Sequence, residues 1–397
     1  MKKHICMVVY TNYSIDARVR REAETLADLP DYKVLVLTLK QKTSPRTSFI
    51  DNVEVRELNL TKYRGKSNIR YLISYFRFLL LAFLACTRLL IRNSLDVVHV
   101  HNMPNFLVFS AIIPFLFGKK IILDVHDTVV ETYLSKFDGA SSKIFHKILY
   151  KALRLEESIC CALAHKIICV NHIQREALIK RGIPENKMII SMNVPDPRRF
   201  HNYNRITDLT KKNSFKVVYF GTITKRLGID LAIRAVASLN GRIPGLEFHI
   251  IGEGDDKEEF IKLSEELGIK EVMHFYETLF PLEDLVKILE GMDLGIVPNR
   301  KNAATELMLP VKMLECIALS IPVIVPRLKT IEYYFSDELV FYFEPDNVES
   351  LSSAILDVFN NGTMRTKKAE NAKGFLKKYG WETHKFDLIN LYRSLLE

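Results

Sequence analysis

The sequence predicts an α/β protein built from two doubly wound parallel sheets. Three observations predict it. Short β-branched apolar runs alternate with helix-period segments from one end of the chain to the other. The 397 residues suffice for two domains of ordinary size, each with its own core. A basic, polar stretch, Asp196–Ser214 (DPRRFHNYNRITDLTKKNS), divides the alternation into two sets, as a hinge would.

In the first half the expected strands are His4–Tyr10, Lys33–Leu39, Val53–Leu58, Val97–His101, Lys120–Val125, Lys166–Val170 and Met188–Met192. In the second half they are Phe215–Gly221, Leu246–Ile251, Val272–Tyr276, Leu294–Val297, Pro322–Val325 and Leu339–Phe343. Most are continuous apolar runs, the pattern of strands covered by helices on both faces. The helical segments between them include Ile229–Leu239, Lys257–Leu267, Leu282–Gly291 and Val311–Leu319. In such sheets ligands bind beyond the carboxyl ends of the strands, so the residues that follow each run are the ones to inspect.

Lys and Arg total 56 against 47 Asp and Glu, a net charge of +9, which suits an anionic partner. The basic residues are dispersed and no basic helix is interleaved with aromatics, which argues against nucleic acid. The N-terminal apolar run is short and lacks a small-residue cleavage site, so it reads as a first strand, not a signal peptide. Six cysteines show no CxxC or metal-ligand spacing, which points to a reducing, cytoplasmic setting. Tyr71–Ile91 is nearly all apolar, with Arg77 and Arg88 inside it. Only the ten residues Phe78–Thr87 are free of charge between those arginines, too few for a span. A buried crossover helix or a helix lying on a membrane surface are the two readings left open.

After the first strand comes TNYSIDARVRREAETL, which has no glycine, so neither a phosphate loop nor a dinucleotide fingerprint is available there. Gly252-Glu253-Gly254 follows the strand ending at Ile251, but Lys257 stands where the third glycine of a dinucleotide motif belongs. Asp124-Val125-His126-Asp127 closes the strand IILDV, which places His126 at a sheet end. His99 and His101 lie two apart and project from one face of their strand, as local structure or cleft lining, with metal binding the lesser alternative. Pro310 suits a first helical turn, and Lys312 and Glu315 follow three apart. There a cation and a helix start favour an anion, and a carboxylate one turn in can accept from sugar hydroxyls, although a surface ion pair has the same spacing.

Taken together these segments resemble a family 4 glycosyltransferase with the GT-B fold. The likeness runs through DARVRRE (16–22), HVHNMPN (99–105), DVHD (124–127), NVPD (193–196), YFGTITKRLGIDLAIRA (219–235), IIGEGD (250–255), VPNR (297–300), TELMLPVKMLECIALSIPVIV (305–325) and YGWE (379–382). It implies two Rossmann-like domains facing across a cleft. Residues 1–196 would form the acceptor domain, with a C-terminal helix at about 382–397 packing back on it. Residues 197–381 would form the donor domain. It also implies retaining, metal-independent transfer of a hexosyl group from a nucleotide sugar, commonly UDP-activated, with no cofactor. The expected acceptor is a saccharide, lipid-linked, in cell-surface glycan assembly, and the expected place is the cytoplasmic face of an anionic membrane. A nucleotide-sugar epimerase and a non-catalytic partner subunit of the same fold are the alternatives.

Residue by residue, the resemblance implies that Glu315 is the second Glu of the family's E-x7-E motif and bonds the nucleotide ribose. The first Glu position holds Leu307, and Glu306, one residue early, is expected to replace it. The usual diphosphate-clamp positions hold Thr222 and Leu227, so the clamp falls to Lys225 and Arg226. His126 matches the histidine near the donor sugar in many relatives. Catalysis is thus expected from His126, Lys225, Arg226 and Glu306. Donor binding is expected from Gly221, Thr222, Gly252, Glu253, Gly254, Pro310, Lys312 and Glu315. Asn12, Asp16, Arg18, His101 and Asp127 are expected on the acceptor side, since the family's glycine-rich loop is missing after the first strand.

Overall fold

The computed structural model describes residues 2–41, 45–63, 65, 67–137, 143–200, 214–276, 280 and 282–397. It divides into two compact units, Met1–Asn193 with Glu382–Glu397, and Val194–Trp381. Most of the expected hinge, residues 201–213, lies outside the described residues, as do Arg64 and Lys66 of the loop before the apolar helix.

Unit 1 holds the strands β1 (Lys3–Val8), β2 (Tyr32–Leu39), β3 (Thr47–Ile50), β4 (Val53–Leu58), β5 (Val97–His101), β6 (Lys120–Val125), β7 (Lys166–Cys169) and β8 (Met188–Ile190). Its helices are α1 (Ala17–Ala27), α2 (Asn68–Ile91), α3 (Ile112–Leu116), α4 (Val129–Phe137), α5 (Lys143–Leu163) and α6 (His172–Lys180). The sheet order is β3-β4-β2-β1-β5-β6-β7-β8, parallel except for β3. Unit 2 has β9 (Phe215–Phe220), β10 (Leu246–Ile251), β11 (Met273–Phe275), β12 (Leu294–Ile296), β13 (Val323–Pro326) and β14 (Phe341–Phe343). Around them lie α7 (Ile229–Leu239), α8 (Lys257–Glu266), α9 (Leu282–Glu290), α10 (Val311–Ala318), α11 (Lys329–Tyr334), α12 (Val348–Asn360) and α13 (Gly362–Tyr379). Helix α14 (Trp381–Leu396) returns the chain to unit 1. The order in unit 2 is β11-β10-β9-β12-β13-β14, all parallel. Strand order therefore reverses between β1 and β5 in one sheet and between β9 and β12 in the other, and the crevice at such a reversal is where open α/β sheets bind ligands.

Every expected strand forms, with ends that shift by one or two residues. The one expectation missed is β3, an antiparallel edge strand on β4 whose Phe49 is exposed and which carries no apolar alternation. Val272–Tyr276 shortens to β11 because Lys270–Val272 winds into a 3-10 turn.

The apolar run becomes α2, capped by Ser67, whose hydroxyl accepts the Arg70 N–H at 3.4 Å. Phe78, Ala82, Cys86 and Leu89 fall on one face and join the core of unit 1. Ile69, Leu72, Ile73, Phe76, Leu80 and Leu84 fall on the other and stay exposed. The helix is long and apolar enough to cross a membrane. Its buried face, however, belongs to the packing of unit 1.

Candidate functional site

Unit 2 gathers its polar groups beyond β9, β10 and β12. The two strand-end turns lie backbone against backbone, which is why glycines stand there. A Cβ on Gly252 would meet the Gly221 carbonyl oxygen at 1.9 Å, and one on Gly254 the Ile223 carbonyl oxygen at 1.8 Å. The Gly221 N–H donates to Ile251 and the Ile223 N–H to Glu253, each at 2.9 Å, and lock the turns together. Lys257 donates to the Tyr276 carbonyl at 2.6 Å, so the residue that breaks the dinucleotide pattern ties down the next strand instead.

Lys312, in the first turn of α10, reaches back to the same turn. Its ammonium donates to the Tyr219 hydroxyl at 2.9 Å and stands 4.1 Å from the ring centroid. It also lies 3.4 Å from where a Cβ of Gly221 would be. Burial, opposed in part by Glu315, pushes the Lys312 amine from 10.5 down to about 7. This is a cation short of counter-charge. The Tyr219 hydroxyl in turn donates to the Thr222 carbonyl at 2.6 Å.

The other expected residues of unit 2 divide. Arg226 has no acidic partner among the described residues. Lys225, by contrast, is exposed and pairs with Glu259 at 2.6 Å, a solvent-screened surface pair. Glu306 accepts the Lys329 N–H at 2.8 Å and lies 3.4 Å from the Lys301 ammonium. It thus acts as the acceptor at the start of α11, a role set by its place one residue before the family position. Arg300 latches Asp230 and Asp346 at 2.5 and 2.7 Å. Asn299, part of the VPNR motif but given no role from it, is 1% exposed with neither amide atom bonded, three residues past the end of β12.

Unit 1 builds its polar cluster on the ends of β5 and β6. Arg18 is 2% exposed and clasps both oxygens of Asp124, Nε to Oδ2 at 2.9 Å and Nη2 to Oδ1 at 2.8 Å. Its Nη1 donates to the Ser191 carbonyl at 2.9 Å, and Glu22 stands 3.2 Å from Nη2. Asp124 Oδ2 also meets His101 Nδ1 at 3.1 Å and His126 Nε2 at 2.9 Å. Although burial raises the Asp124 carboxyl, Arg18 and His126 outweigh it and hold the group well below its usual range. An ionised carboxylate only accepts, so both ring nitrogens must carry hydrogens. The 3.1 Å between His101 Nδ1 and His126 Nε2 is therefore two donors sharing one acceptor. His126 keeps 22% of its side chain exposed, and nothing among the described residues bonds its Nδ1. Burial lowers the His126 pKa, but Asp124 reverses this and raises it above 6.5. A raised imidazole contributes its full stability below 6.5 and loses it as pH climbs through the raised value.

The cluster extends inward. His99 stacks on His101 with centroids 4.2 Å apart, and its Nδ1 meets the Tyr392 hydroxyl of α14 at 2.8 Å. Burial drives the His99 pKa well down, so that ring is neutral. Glu22, His99, His101 and Asp124 bring donor atoms within 4.8 Å of one another. A cation there would face the Arg18 guanidinium, which already occupies both Asp124 oxygens.

Of the expected acceptor-side residues, Arg18 and His101 are buried and turned to Asp124, which corrects their assignment from ligand contact to support. Asp16 caps α1 by accepting the Val19 N–H at 3.0 Å. Asn12 Oδ1 is buried and unbonded. Asp127 is held through Asn102, whose Nδ2 donates to the Asp127 carbonyl at 2.8 Å while its Oδ1 takes the His126 N–H at 2.8 Å. Asn102 and Asp124 are the support residues that reading the motifs left without a role. The signal was present in HVHN and DVHD, which end adjacent strands. Nitrogen-15 NMR of histidine-labelled protein should find a His126 ring that titrates above 6.5 at Nδ1 and, once neutral, keeps its proton on Nε2, and Asp124→Asn should lower its pKa by about one unit or more. A neutral ring with its proton on Nδ1 and Nε2 bare would contradict the geometry.

Comparison with known proteins gives two family models. "Glycosyltransferase Family 4" matches residues 17–199, and "Glycosyl transferases group 1" matches residues 204–375. Among curated proteins the chain is 24% identical over 246 residues to D-inositol 3-phosphate glycosyltransferase of Corynebacterium urealyticum, covering 58% of this chain and 57% of that one. It is 24% identical over 205 residues to lipopolysaccharide glucosyltransferase WaaG of Escherichia coli, covering 51% of each. The chain thus spans about half the length of the curated relatives it matches. Sucrose-phosphate synthase from Thermosynechococcus elongatus superposes with a TM-score of 0.78 at 16% identity, covering 99% of both chains. Anabaena HepE, solved with UDP, superposes at 0.68 and 14% identity, covering 99% of this chain and 100% of that one. Two parallel α/β sheets, two glycosyltransferase models spread along the chain and these relatives agree: the chain belongs to the GT-B glycosyltransferase family.

Proposed function

We propose that this chain is a retaining glycosyltransferase that moves a sugar from a UDP-sugar to a saccharide acceptor carried on a lipid. One observation carries the donor half of this reading. Lys312, a lysine depressed to about 7, sits against a glycine turn at the carboxyl end of β9, where a diphosphate would restore its charge. Arg226, with no acidic partner among the described residues, is the second cation for the leaving group, and Glu315 is the acceptor for ribose hydroxyls. Glu306 drops out of this assignment because the start of α11 occupies it, while Lys225, held only by an exposed pair with Glu259, stays a third cation for the diphosphate.

As the glycosidic bond breaks, the leaving diphosphate gains negative charge, and preorganised cations lower the barrier most where that charge grows. The departing phosphate oxygen takes the acceptor hydroxyl proton on the face it leaves, so the new bond forms with the same configuration. His126, open at Nδ1, is the group assigned to a sugar hydroxyl.

The lipid half rests on unit 1. The outer face of α2 is apolar from Ile69 to Leu84, about four turns, with Arg70, Arg77 and Arg88 exposed along it. On α5, Ile144, Phe145, Ile148, Leu155 and Ile159 are exposed beside Lys147 and Lys151. Apolar stripes edged by basic residues bind anionic membrane surfaces.

Two measurements test these halves. Between pH 7 and 10.5 the folded chain holds fewer protons at Lys312 than the unfolded chain, so this lysine favours folding as pH rises through that window. A bound diphosphate reverses the depression. UDP binding at pH 8, followed by calorimetry in buffers of different ionisation enthalpy, should therefore take up nearly one proton, and Arg226→Ala should cut turnover about 10²-fold. UDP binding without proton uptake would remove Lys312 from the donor site. The chain should also float with anionic liposomes at low salt and not with neutral ones; equal behaviour on both would refute the membrane half.

A further inference from the structure

Strands β10 and β11 carry a second cluster, on the strands themselves and not on the turns that follow them. Glu247 and His249 alternate with Leu246, Phe248 and Ile250, which belong to the core, so they lie on the opposite face of the sheet. The register sets His249 beside His274 of the neighbouring strand, and the two rings stack with centroids 4.6 Å apart. Both rings aim Nε2 at one carboxylate oxygen. His249 Nε2 is 3.1 Å and His274 Nε2 is 3.7 Å from Glu247 Oε2. The ligand atoms of all three residues fall within 4.8 Å of one another.

We propose that Glu247, His249 and His274 form a binding site for a borderline divalent transition metal of the Zn²⁺ type, joining β10 to the edge strand β11. Tetrahedral sites with metal–ligand bonds of about 2.0–2.2 Å hold neighbouring donor atoms about 3.3–3.6 Å apart. The two contacts at Oε2, 3.1 and 3.7 Å, bracket that spacing, so small side-chain rotations would open room for the ion. Two imidazoles and a carboxylate suit Zn²⁺, Ni²⁺ or Cu²⁺ and disfavour Mg²⁺ and Ca²⁺, which take oxygen ligands. The site opens outward at His274, 43% exposed, which leaves the fourth position to water.

His249 also has the outer support that metal-bound histidines need. Its Nδ1 meets the Tyr276 hydroxyl at 3.0 Å. In the metal-free trio the proton sits on Nε2, facing Glu247. With a metal on Nε2 it moves to Nδ1, and the tyrosine oxygen, which can give or take, becomes the acceptor. Lys216, 3.7 Å from Glu247 Oε2, is the cation that a metal would displace.

The full chain, without an affinity tag, should bind one Zn²⁺ in competition with a chromogenic chelator, and Zn²⁺ alone should raise its unfolding temperature. His274→Gln, at the exposed corner, should keep the fold and weaken Zn²⁺ at least about tenfold, as should Tyr276→Phe through His249. Co²⁺ in place of Zn²⁺ should show the absorption of a tetrahedral site in the native chain and lose it in His274→Gln. Zn²⁺ affinity unchanged in His274→Gln, or no saturable Zn²⁺ binding by the native chain, would overturn the proposal. None of these readouts involves UDP or sugar transfer, so they stand or fall apart from the function proposed above.

Discussion

A guanidinium and a carboxylate, 106 residues apart in the chain and both removed from water, organise the polar end of unit 1. Arg18 comes from the start of α1 and Asp124 from the end of β6. Burying two charges costs several kcal/mol for each, and the pair survives because both carboxylate oxygens and three guanidinium nitrogens are bonded. Removing either partner would leave a bare buried charge, a loss of about 3–5 kcal/mol. That cost fixes where α1 sits, and it fixes Asp124 Oδ2 as a common acceptor for two histidines. What reaches solvent from this arrangement is one nitrogen, His126 Nδ1.

Unit 2 solves the converse problem. Its cation, Lys312, has a tyrosine hydroxyl and ring for company but too little negative charge, and burial therefore discharges it. A site kept in this condition gains most from a ligand that brings the missing charge. The glycine turns beside it expose backbone where any larger residue would collide with a carbonyl. The exposed lysine, Lys225, keeps its charge in water with Glu259 beside it, so it lacks the shortage of counter-charge that marks Lys312.

Much of this was legible beforehand. Continuous apolar runs placed all the strands but one, because buried parallel strands must be apolar on both faces; β3 escaped because an exposed edge strand has no such requirement. The motifs HVHN and DVHD pointed to the strand ends where the polar cluster of unit 1 forms. They could not tell a ligand contact from a support, since what sets Arg18 and His101 apart from His126 is burial, which depends on contacts between segments far apart in the chain. Glu306 shows the same limit. Its chemistry fits a donor contact, and only the position of α11 reveals that its carboxylate is a helix cap. Tyr392 was out of reach altogether, because its contact with His99 joins residues 293 apart.

In the proposed chemistry Asp124 acts through His126. A double-mutant cycle on sugar-nucleotide turnover, with Asp124→Asn, His126→Ala and the two combined, tests that dependence directly. If Asp124 serves to present Nδ1 of His126, Asp124→Asn costs turnover in the native background and nothing further once His126 is gone. Losses that multiply in the double variant would show two independent roles and contradict the account.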